Sequence, residues 1–278
     1  MRRIILGMLA LSAVATMAVE SASSANKITL KGSDTMVILG QSLAEHYMKA
    51  HPGAIIQTNG GGSGVGIAAL INGATDICQA SRPMKDSEKG KLRDRYSTLG
   101  TEIPVAKDGL TVYLNDANAI SELTLEQIKD IYTGKITNWK AVGGKDAKII
   151  LYSRENNSGT YVFFKDNVLK GADYAPSCQN LTGTATVVQA VSKDANGIGY
   201  GGAAYAKGVK ELAVKKDASS PAIKPIAANV GDGSYPITRY LYWYTRNAPT
   251  GDIKSLVDWT LSAEGQKVVT DVGYFPVK

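Results

Sequence analysis

Short apolar runs alternate with amphipathic helical patterns through most of this chain, and turns rich in glycine and hydroxyl groups separate them. In the first predicted helix, Leu39, Leu43, Tyr47 and Ala50 recur at helical spacing. The first units comprise predicted strands at 27–30, 54–58 and 77–80 and predicted helices at 36–49 and 64–71. This alternation predicts an α/β fold, with the turns at the carboxyl ends of parallel strands, where open sheets of this class bind ligands.

The pattern continues to the end of the chain and permits two lobes. A helix at 124–132 has a capping-box start, Thr124 with Gln127 three residues later. Further predicted elements are a strand at 110–114, a βα unit at 149–169, strands at 198–200 and 240–244, and helices at 253–261 and 263–272. We expect lobe I to comprise residues 26–108 with 233–278, and lobe II residues 109–232.

Residues 1–25 have the layout of a secretory signal peptide. Arg2 and Arg3 precede an uncharged apolar run at 4–18, and small residues lead to a Ser23-x-Ala25 pattern. Cleavage there leaves about 250 residues, enough for one large or two smaller domains. Because no cysteine lies near the junction, we expect an exported, periplasmic protein without a lipid anchor. The alternative is an uncleaved membrane anchor.

Cysteine, histidine and charge content narrow the function classes. Cys78 and Cys178 fit no metal-site spacing and are either free thiols or a disulfide. The net charge of +6 is spread along the chain without a basic block, which argues against nucleic-acid binding. The two histidines, His46 and His51, both fall at the end of one predicted helix, so they do not form a metal cluster.

Three turns share one chemistry, which suits an anion, and a fourth stretch at 80–84 follows the third predicted strand and contains an arginine and a turn-forming proline. Each follows a predicted strand and places hydroxyl groups and small residues where a helix begins or the chain turns. A helix N-terminus offers free N–H groups and the positive end of the helix dipole. The turns are Gly32-Ser-Asp-Thr-Met36, residues 59–66 (Asn-Gly-Gly-Gly-Ser-Gly-Val-Gly), Ala80-Ser-Arg-Pro-Met84 and residues 153–160 (Ser-Arg-Glu-Asn-Asn-Ser-Gly-Thr). Read singly, each is also compatible with ordinary N-capping.

Two arginines in these turns strengthen the anion interpretation. Arg82 and Arg154 each follow a predicted strand, where a guanidinium can present a planar fork to a tetrahedral oxyanion. The alternative is a solvated surface arginine. The glycine-rich turn at 59–66 contains a GxGxxG-like spacing, but its short helix and the lack of a fitting acidic residue argue against a dinucleotide site.

The chain resembles the periplasmic phosphate-binding proteins of the PstS type. The resemblance spans the whole chain after the signal peptide. Its most specific segment is the Tyr-x-Gly-Lys-Ile-x-x-Trp pattern at 132–139, for which we expect a structural role through Ile136 and Trp139. The other matching segments are Gly32-Ser-Asp-Thr-Met36, Gly62-Ser-Gly64, Ala80-Ser-Arg-Pro83, Ser158-Gly-Thr160 and Tyr235-Pro-Ile237.

The resemblance implies a two-lobed, type II-like periplasmic binding protein with two crossovers and phosphate held in the interlobe cleft. Such a protein delivers its ligand to the membrane-embedded permease of an ABC importer and acts as a monomer without a cofactor. The ligand-binding residues that the resemblance implies are Thr35, Met36, Ser63, Arg154, Ser158, Gly159 and Thr160, with Ser33 and Ser81 as weaker assignments from adjacency. Asp34 and Arg82 are further candidates that come from the turns themselves and not from the resemblance.

Arg82 departs from the family pattern. Well-known members have an aspartate at this position, which accepts a hydrogen bond from protonated phosphate and repels sulfate. An arginine can only donate. We therefore hypothesise that Asp34 in the neighbouring turn supplies the acceptor. The alternative is a subgroup in which Arg82 strengthens anion binding and specificity arises elsewhere.

Two competing functions remain open at the level of sequence. One is a binding protein for another oxyanion, such as sulfate, molybdate or tungstate, and Arg82 favours this alternative. The other is a phosphatase or phosphotransferase with Ser63 or Ser158 as nucleophile. Neither serine has a general base near it in the sequence, so binding is the preferred interpretation.

Overall fold

The computed structural model describes residues 27–277, so the predicted signal peptide lies outside the described residues. The strands are β1 (Lys27–Gly32), β2 (Ile55–Asn59), β3 (Ile77–Ala80), β4 (Thr101–Leu114), β5 (Glu122–Thr124), β6 (Ile150–Arg154), β7 (Gln179–Leu181), β8 (Gly197–Gly202), β9 (Lys210–Glu211), β10 (Ala213–Lys215), β11 (Ala222–Ile223) and β12 (Thr238–Thr245). The helices are α1 (Val37–Ala50), α2 (Ser63–Asn72), α3 (Asp86–Tyr96), α4 (Leu125–Tyr132), α5 (Gly159–Asn167), α6 (Thr184–Lys193), α7 (Ala227–Gly231), α8 (Gly251–Thr260) and α9 (Ala263–Val272).

One mixed sheet, in the order β2-β1-β3-β12-β4-β8-β6-β7, carries most of the fold, and the predicted α/β class is confirmed. Strand β1 runs parallel to β2 and β3, and β6 runs parallel to β7 and β8. Strand β4 joins the two parallel groups. It pairs antiparallel with β12 from Thr101 to Gly109 and with β8 from Leu110 to Leu114. The chain therefore passes from one group to the other within a single strand.

Two main hydrophobic clusters lie on either side of this passage. One contains Leu30, Leu39, Val105 and residues of α8 and α9, and the other contains Leu110, Ile128, Trp139 and Phe164. The predicted lobe boundaries remain a prediction. Along β4, residues up to Ala106 belong to the first cluster and residues from Leu110 to the second, which is close to the predicted boundary at residue 108. Near the other predicted boundary, at residue 232, Tyr235 and Ile237 still pack with the second cluster.

Local sequence signals account for several elements. The capping box at Thr124 is present: its hydroxyl accepts from the Gln127 N–H at 3.1 Å, and the Gln127 side chain accepts from the Thr124 N–H at 2.9 Å. Trp139 is buried in the second cluster with Ile136 packed against it, as the resemblance implied. Ala50, by contrast, is exposed at the end of α1.

Helices α3 and α6 were not predicted. Helix α3 has little apolar periodicity to detect, because Leu92 is its only buried residue. Helix α6 buries Val187, Val188 and Val191 through β-branched side chains, which have weak helix propensity.

No helix within residues 27–277 combines the length and the apolar content needed to cross a bilayer.

Both cysteines are free thiols. Cys78 is fully buried, and burial raises its pKa well above the ordinary value. Cys178 is half-buried, and burial raises its pKa to about 12. Thiols with such raised pKa values carry little thiolate near neutral pH and react slowly.

We expect the folded protein to react with a disulfide reagent such as DTNB at pH 8 about a hundredfold or more slowly than the protein in urea, because an unfolded thiol has a pKa near about 8.5. Reagent colour should reach two thiols per chain in urea without any reductant. A value near zero in urea would contradict the free thiols and indicate a disulfide between Cys78 and Cys178.

Candidate functional site

Three buried serines from three different turns form the first part of a hydroxyl cluster. The Ser33 hydroxyl donates to the Ser81 hydroxyl at 2.9 Å, and the Ser63 and Ser81 hydroxyls lie 3.4 Å apart. The Ser63 oxygen also accepts from the Ser81 N–H at 3.0 Å. All three residues are at most 2% exposed. The parallel strands β1, β2 and β3 end at the same edge, which is why these turns meet.

Three buried threonines form the second part. Thr35 and Thr160 share a hydrogen bond of 2.8 Å between their hydroxyls, and the Thr35 and Thr184 hydroxyls lie 3.5 Å apart. Thr35 follows β1, whereas Thr160 and Thr184 lie in the first turns of α5 and α6. The hydrogen bond from Thr35 to Thr160 therefore links the two parallel groups of the sheet.

Arg154 is the guanidinium of this cluster and is 1% exposed. Its Nη2 donates to Asp34 Oδ2 at 2.8 Å, its Nη1 to the Thr184 hydroxyl at 2.9 Å, and its Nε to the Leu181 carbonyl at 3.3 Å. The other Asp34 oxygen, Oδ1, accepts from the Gly61 N–H at 2.8 Å. The Asp34 carboxylate thus joins the first turn, the glycine-rich turn and Arg154.

Gly159 allows the two parts to meet. A Cβ at this position would lie 2.3 Å from the Ser63 hydroxyl oxygen and 2.7 Å from that of Ser81. No side chain fits there without moving the hydroxyl groups. The neighbouring turns also touch directly, because the Gly64 N–H donates to the Asn157 carbonyl at 2.9 Å.

Two further predicted site residues serve local structure as well. The Ser158 hydroxyl caps α5 by accepting from the Tyr161 N–H at 3.4 Å. The Met36 N–H donates to the Ser33 carbonyl at 2.9 Å, and the Met36 side chain is fully buried. Within residues 27–277 the Ser158 hydroxyl makes this capping hydrogen bond and none with the hydroxyl cluster.

Arg82 is placed differently from the sequence-based prediction. Its Nη1 and Nη2 donate to the two carboxylate oxygens of Glu88 at 2.8 and 2.7 Å, and Nη1 also donates to the Pro83 carbonyl. Glu88 lies in the first turn of α3, a helix that the sequence analysis did not predict, and so its attraction for Arg82 was missed. The Arg82 fork is occupied by this carboxylate and does not belong to the hydroxyl cluster.

Thr184 belongs to the cluster but was missed from sequence. The signal was present, since residues 181–184 (Leu-Thr-Gly-Thr) repeat the strand, glycine and hydroxyl order of the other turns. Two tyrosines that were also missed from sequence donate hydrogen bonds to backbone carbonyls of the first turn. The Tyr205 hydroxyl donates to the Asp34 carbonyl at 2.8 Å, and the Tyr274 hydroxyl donates to the Thr35 carbonyl.

The assembled group offers many hydrogen-bond donors around a single guanidinium, which is contacted by two carboxylates, Asp34 at 2.8 Å and Glu155 at 3.5 Å. Hydroxyl groups at the starts of α2, α5 and α6 also lie at the positive ends of helix dipoles. This chemistry suits a small tetrahedral oxyanion. Within residues 27–277 no three His, Cys, Asp or Glu side chains are grouped as metal ligands.

Comparisons with known proteins agree with the fold. Residues 18–264 match the model of a PBP superfamily domain. The phosphate-binding protein PstS of Pseudomonas aeruginosa is 34% identical over 263 residues, covering 88% of this chain and 81% of that protein. PstS of Bacillus subtilis is 34% identical over 255 residues, covering 91% and 82%.

A solved structure from Clostridium perfringens, described as a phosphate ABC transporter substrate-binding protein with bound phosphate, superposes with a TM-score of 0.82 at 32% identity. The match covers 91% of this chain and all of that one. With a superfamily model matched over most of its length and relatives above 30% identity, this chain belongs to the PstS family of phosphate-binding proteins.

Proposed function

We propose that this protein is an exported, monomeric solute-binding protein that captures inorganic phosphate and delivers it to the permease of an ABC importer. The observation that carries the proposal is the meeting of six buried hydroxyl groups from five turns with the buried guanidinium of Arg154. Its relatives in Pseudomonas aeruginosa and Bacillus subtilis are phosphate-binding proteins. The signal-peptide pattern supports export.

The donor count supports capture of a desolvated anion. Hydrogen bonds to a charged group contribute about 1.5–3 kcal/mol each, so the hydroxyls and Arg154 together offset large desolvation and closure costs. Arg154 carries five N–H donors, and three of them make contacts of 3.3 Å or shorter within the protein. Glu155 lies 3.5 Å from both Nε and Nη2, so the second N–H of Nη1 is the donor left for a ligand held between Arg154 and the hydroxyls.

Asp34 is the acceptor in the proposed site. Phosphate carries at least one proton near neutral pH and can donate to a carboxylate, whereas sulfate cannot. Each carboxylate oxygen accepts more than one hydrogen bond, so the contacts of Asp34 with Gly61 and Arg154 leave acceptor capacity for the ligand. Arg82 has no part in this selection because Glu88 occupies it.

Binding without turnover is the preferred interpretation. The Ser63 hydroxyl contacts Ser81, and the Ser158 hydroxyl caps α5. Neither hydroxyl hydrogen-bonds to a general base among residues 27–277. The two histidines contact carbonyls of α1, His46 at Ser42 and His51 at Tyr47. We therefore expect p-nitrophenyl phosphate to be left intact under conditions where inorganic phosphate binds tightly.

Calorimetry on protein that has been unfolded, freed of ligand and refolded should show tight binding of phosphate and arsenate, which share shape and protonation. Sulfate and molybdate should bind at least about a hundredfold more weakly, a difference of about 2.8 kcal/mol. Equal or tighter binding of sulfate or molybdate would indicate that this oxyanion, and not phosphate, is the ligand.

Substituting each arginine in turn tests which of the two contributes to phosphate binding. Arg154→Gln removes donors to the anion and should weaken phosphate binding about a hundredfold or more. Arg82→Gln breaks the pair with Glu88 and should lower the unfolding temperature. The phosphate Kd should change less than about threefold, or below about 1 kcal/mol, because Arg82 does not belong to the hydroxyl cluster. A large loss of phosphate affinity in Arg82→Gln would show that Arg82 belongs to the binding site.

Asp34→Asn tests the acceptor. The amide keeps the size of the side chain but loses the negative charge, so the ratio of phosphate to sulfate affinity should fall at least about tenfold, or 1.4 kcal/mol. Competition calorimetry with both anions measures the ratio. An unchanged ratio would show that selection of protonated phosphate does not depend on Asp34.

A further inference from the structure

A third arginine–carboxylate pair is buried where the sheet passes from one parallel group to the other. Asp108 and Arg239 are register partners on the antiparallel strands β4 and β12. Arg239 donates through Nε and Nη2 to Asp108 Oδ2 at 3.0 and 2.8 Å. Their side chains are 0% and 2% exposed. The proposed function assigns no role to this pair.

The pair contacts both sides of the hydroxyl cluster. On one side, Arg239 Nη1 donates to the carbonyl of Ser81, whose own hydroxyl belongs to the cluster. On the other side, the Arg239 guanidinium lies 5.4 Å from the ring centroid of Phe163 in α5, the helix that begins at Gly159 and Thr160. A cation over an aromatic face is an attractive contact, stronger where water is excluded.

Asp108 extends these contacts to the first turn. Its Oδ1 accepts from the Ala203 N–H at 3.2 Å, directly after β8. Two residues later, the Tyr205 hydroxyl donates to the Asp34 carbonyl. One buried ion pair thus touches the segments that carry Ser81 and Thr160, and through Tyr205 the segment that carries Asp34.

We infer that Asp108 and Arg239 are positioning residues for anion capture, which hold Ser81 and α5 at the separation that the hydroxyl cluster requires. The inference rests on the proposed function for its ligand. A buried ion pair stabilises a fold poorly compared with apolar packing, whereas its directional hydrogen bonds fix geometry well. Here the contacts of Arg239 reach Ser81 and α5, which lie on opposite sides of the hydroxyl cluster.

Asp108→Asn tests this role, because it keeps the size of the side chain and an oxygen for Ala203 while removing the charge that Arg239 faces. Glu88→Gln is the matched control. It makes the same chemical change in the Arg82–Glu88 pair, which lies beside Ser81 but makes no contact with α5 in the hydrogen bonds and ion pairs of residues 27–277. Arg239→Lys is a second variant that keeps the charge and loses the fork.

The expected results concern kinetics and local opening. Phosphate dissociation, measured by stopped flow, should accelerate at least tenfold in Asp108→Asn and Arg239→Lys and less than threefold in Glu88→Gln. Hydrogen–deuterium exchange of the ligand-free proteins should rise at residues 79–84, 159–167 and 203–206 in the first two variants. In Glu88→Gln the rise should be confined to residues 82–89.

Loss of unfolding temperature with unchanged phosphate dissociation, and without faster exchange in α5, would overturn the inference and leave the pair a purely structural element. If the wild-type protein binds no phosphate, the proposed function fails. The exchange pattern of the ligand-free variants still decides whether the pair positions these segments. Should Asp108→Asn fail to fold, Arg239→Lys and Phe163→Leu give the same comparison with a smaller disturbance.

Discussion

The long strand β4 is the constraint on which the rest of the molecule depends. It pairs with β12 over its first part and with β8 over its second, and so it carries one sheet through two hydrophobic clusters. Parallel strands on each side of it end near the same place. Their turns therefore meet, and the start of α5 comes to lie against Ser63 and Ser81. The site is a consequence of this strand order, since residues 33 and 160 are far apart along the chain.

Ion pairs then determine how the turns are held. Each of three arginines near the site faces a carboxylate: Arg154 faces Asp34, Arg82 faces Glu88, and Arg239 faces Asp108. Breaking a buried pair by removing one partner is strongly destabilising, because the charge left behind has lost its solvation and its partner. The three pairs differ in reach. The first joins two turns of the site, and the second stays between β3 and α3. The third contacts Ser81 and α5, which follow strands of the two different parallel groups.

The sequence predicted the elements whose signals are local. The βα turns and the capping box at Thr124 depend on neighbouring residues, and the structure has them. The burial of Trp139 was expected from the family resemblance, and Trp139 is buried. Arg82 and Arg154 looked alike in sequence, because each follows a strand. They differ in which carboxylate lies opposite, and Glu88 sits on a helix with almost no apolar periodicity. Thr184 was missed although its turn repeats the pattern, because the helix that it begins was missed.

Long-range pairing explains the remaining differences. The sequence favoured a strand beginning near residue 110, yet β4 begins at Thr101, and its first part is set by pairing with a strand over 130 residues later in the chain. The Asp108–Arg239 pair depends on the same register. No local pattern reports which residue of β12 stands opposite Asp108.

The pairing of every arginine near the cluster has an electrostatic consequence. The positive charges at the site are cancelled within a few ångströms, so what remains for an anion to meet is a set of oriented O–H and N–H dipoles. The field of dipoles falls off faster with distance than that of a net charge, and dissolved salt screens chiefly interactions that extend beyond about 8–10 Å. The contacts between the site and its ligand should therefore depend little on ionic strength. The net positive charge of the chain acts on the anion while it approaches.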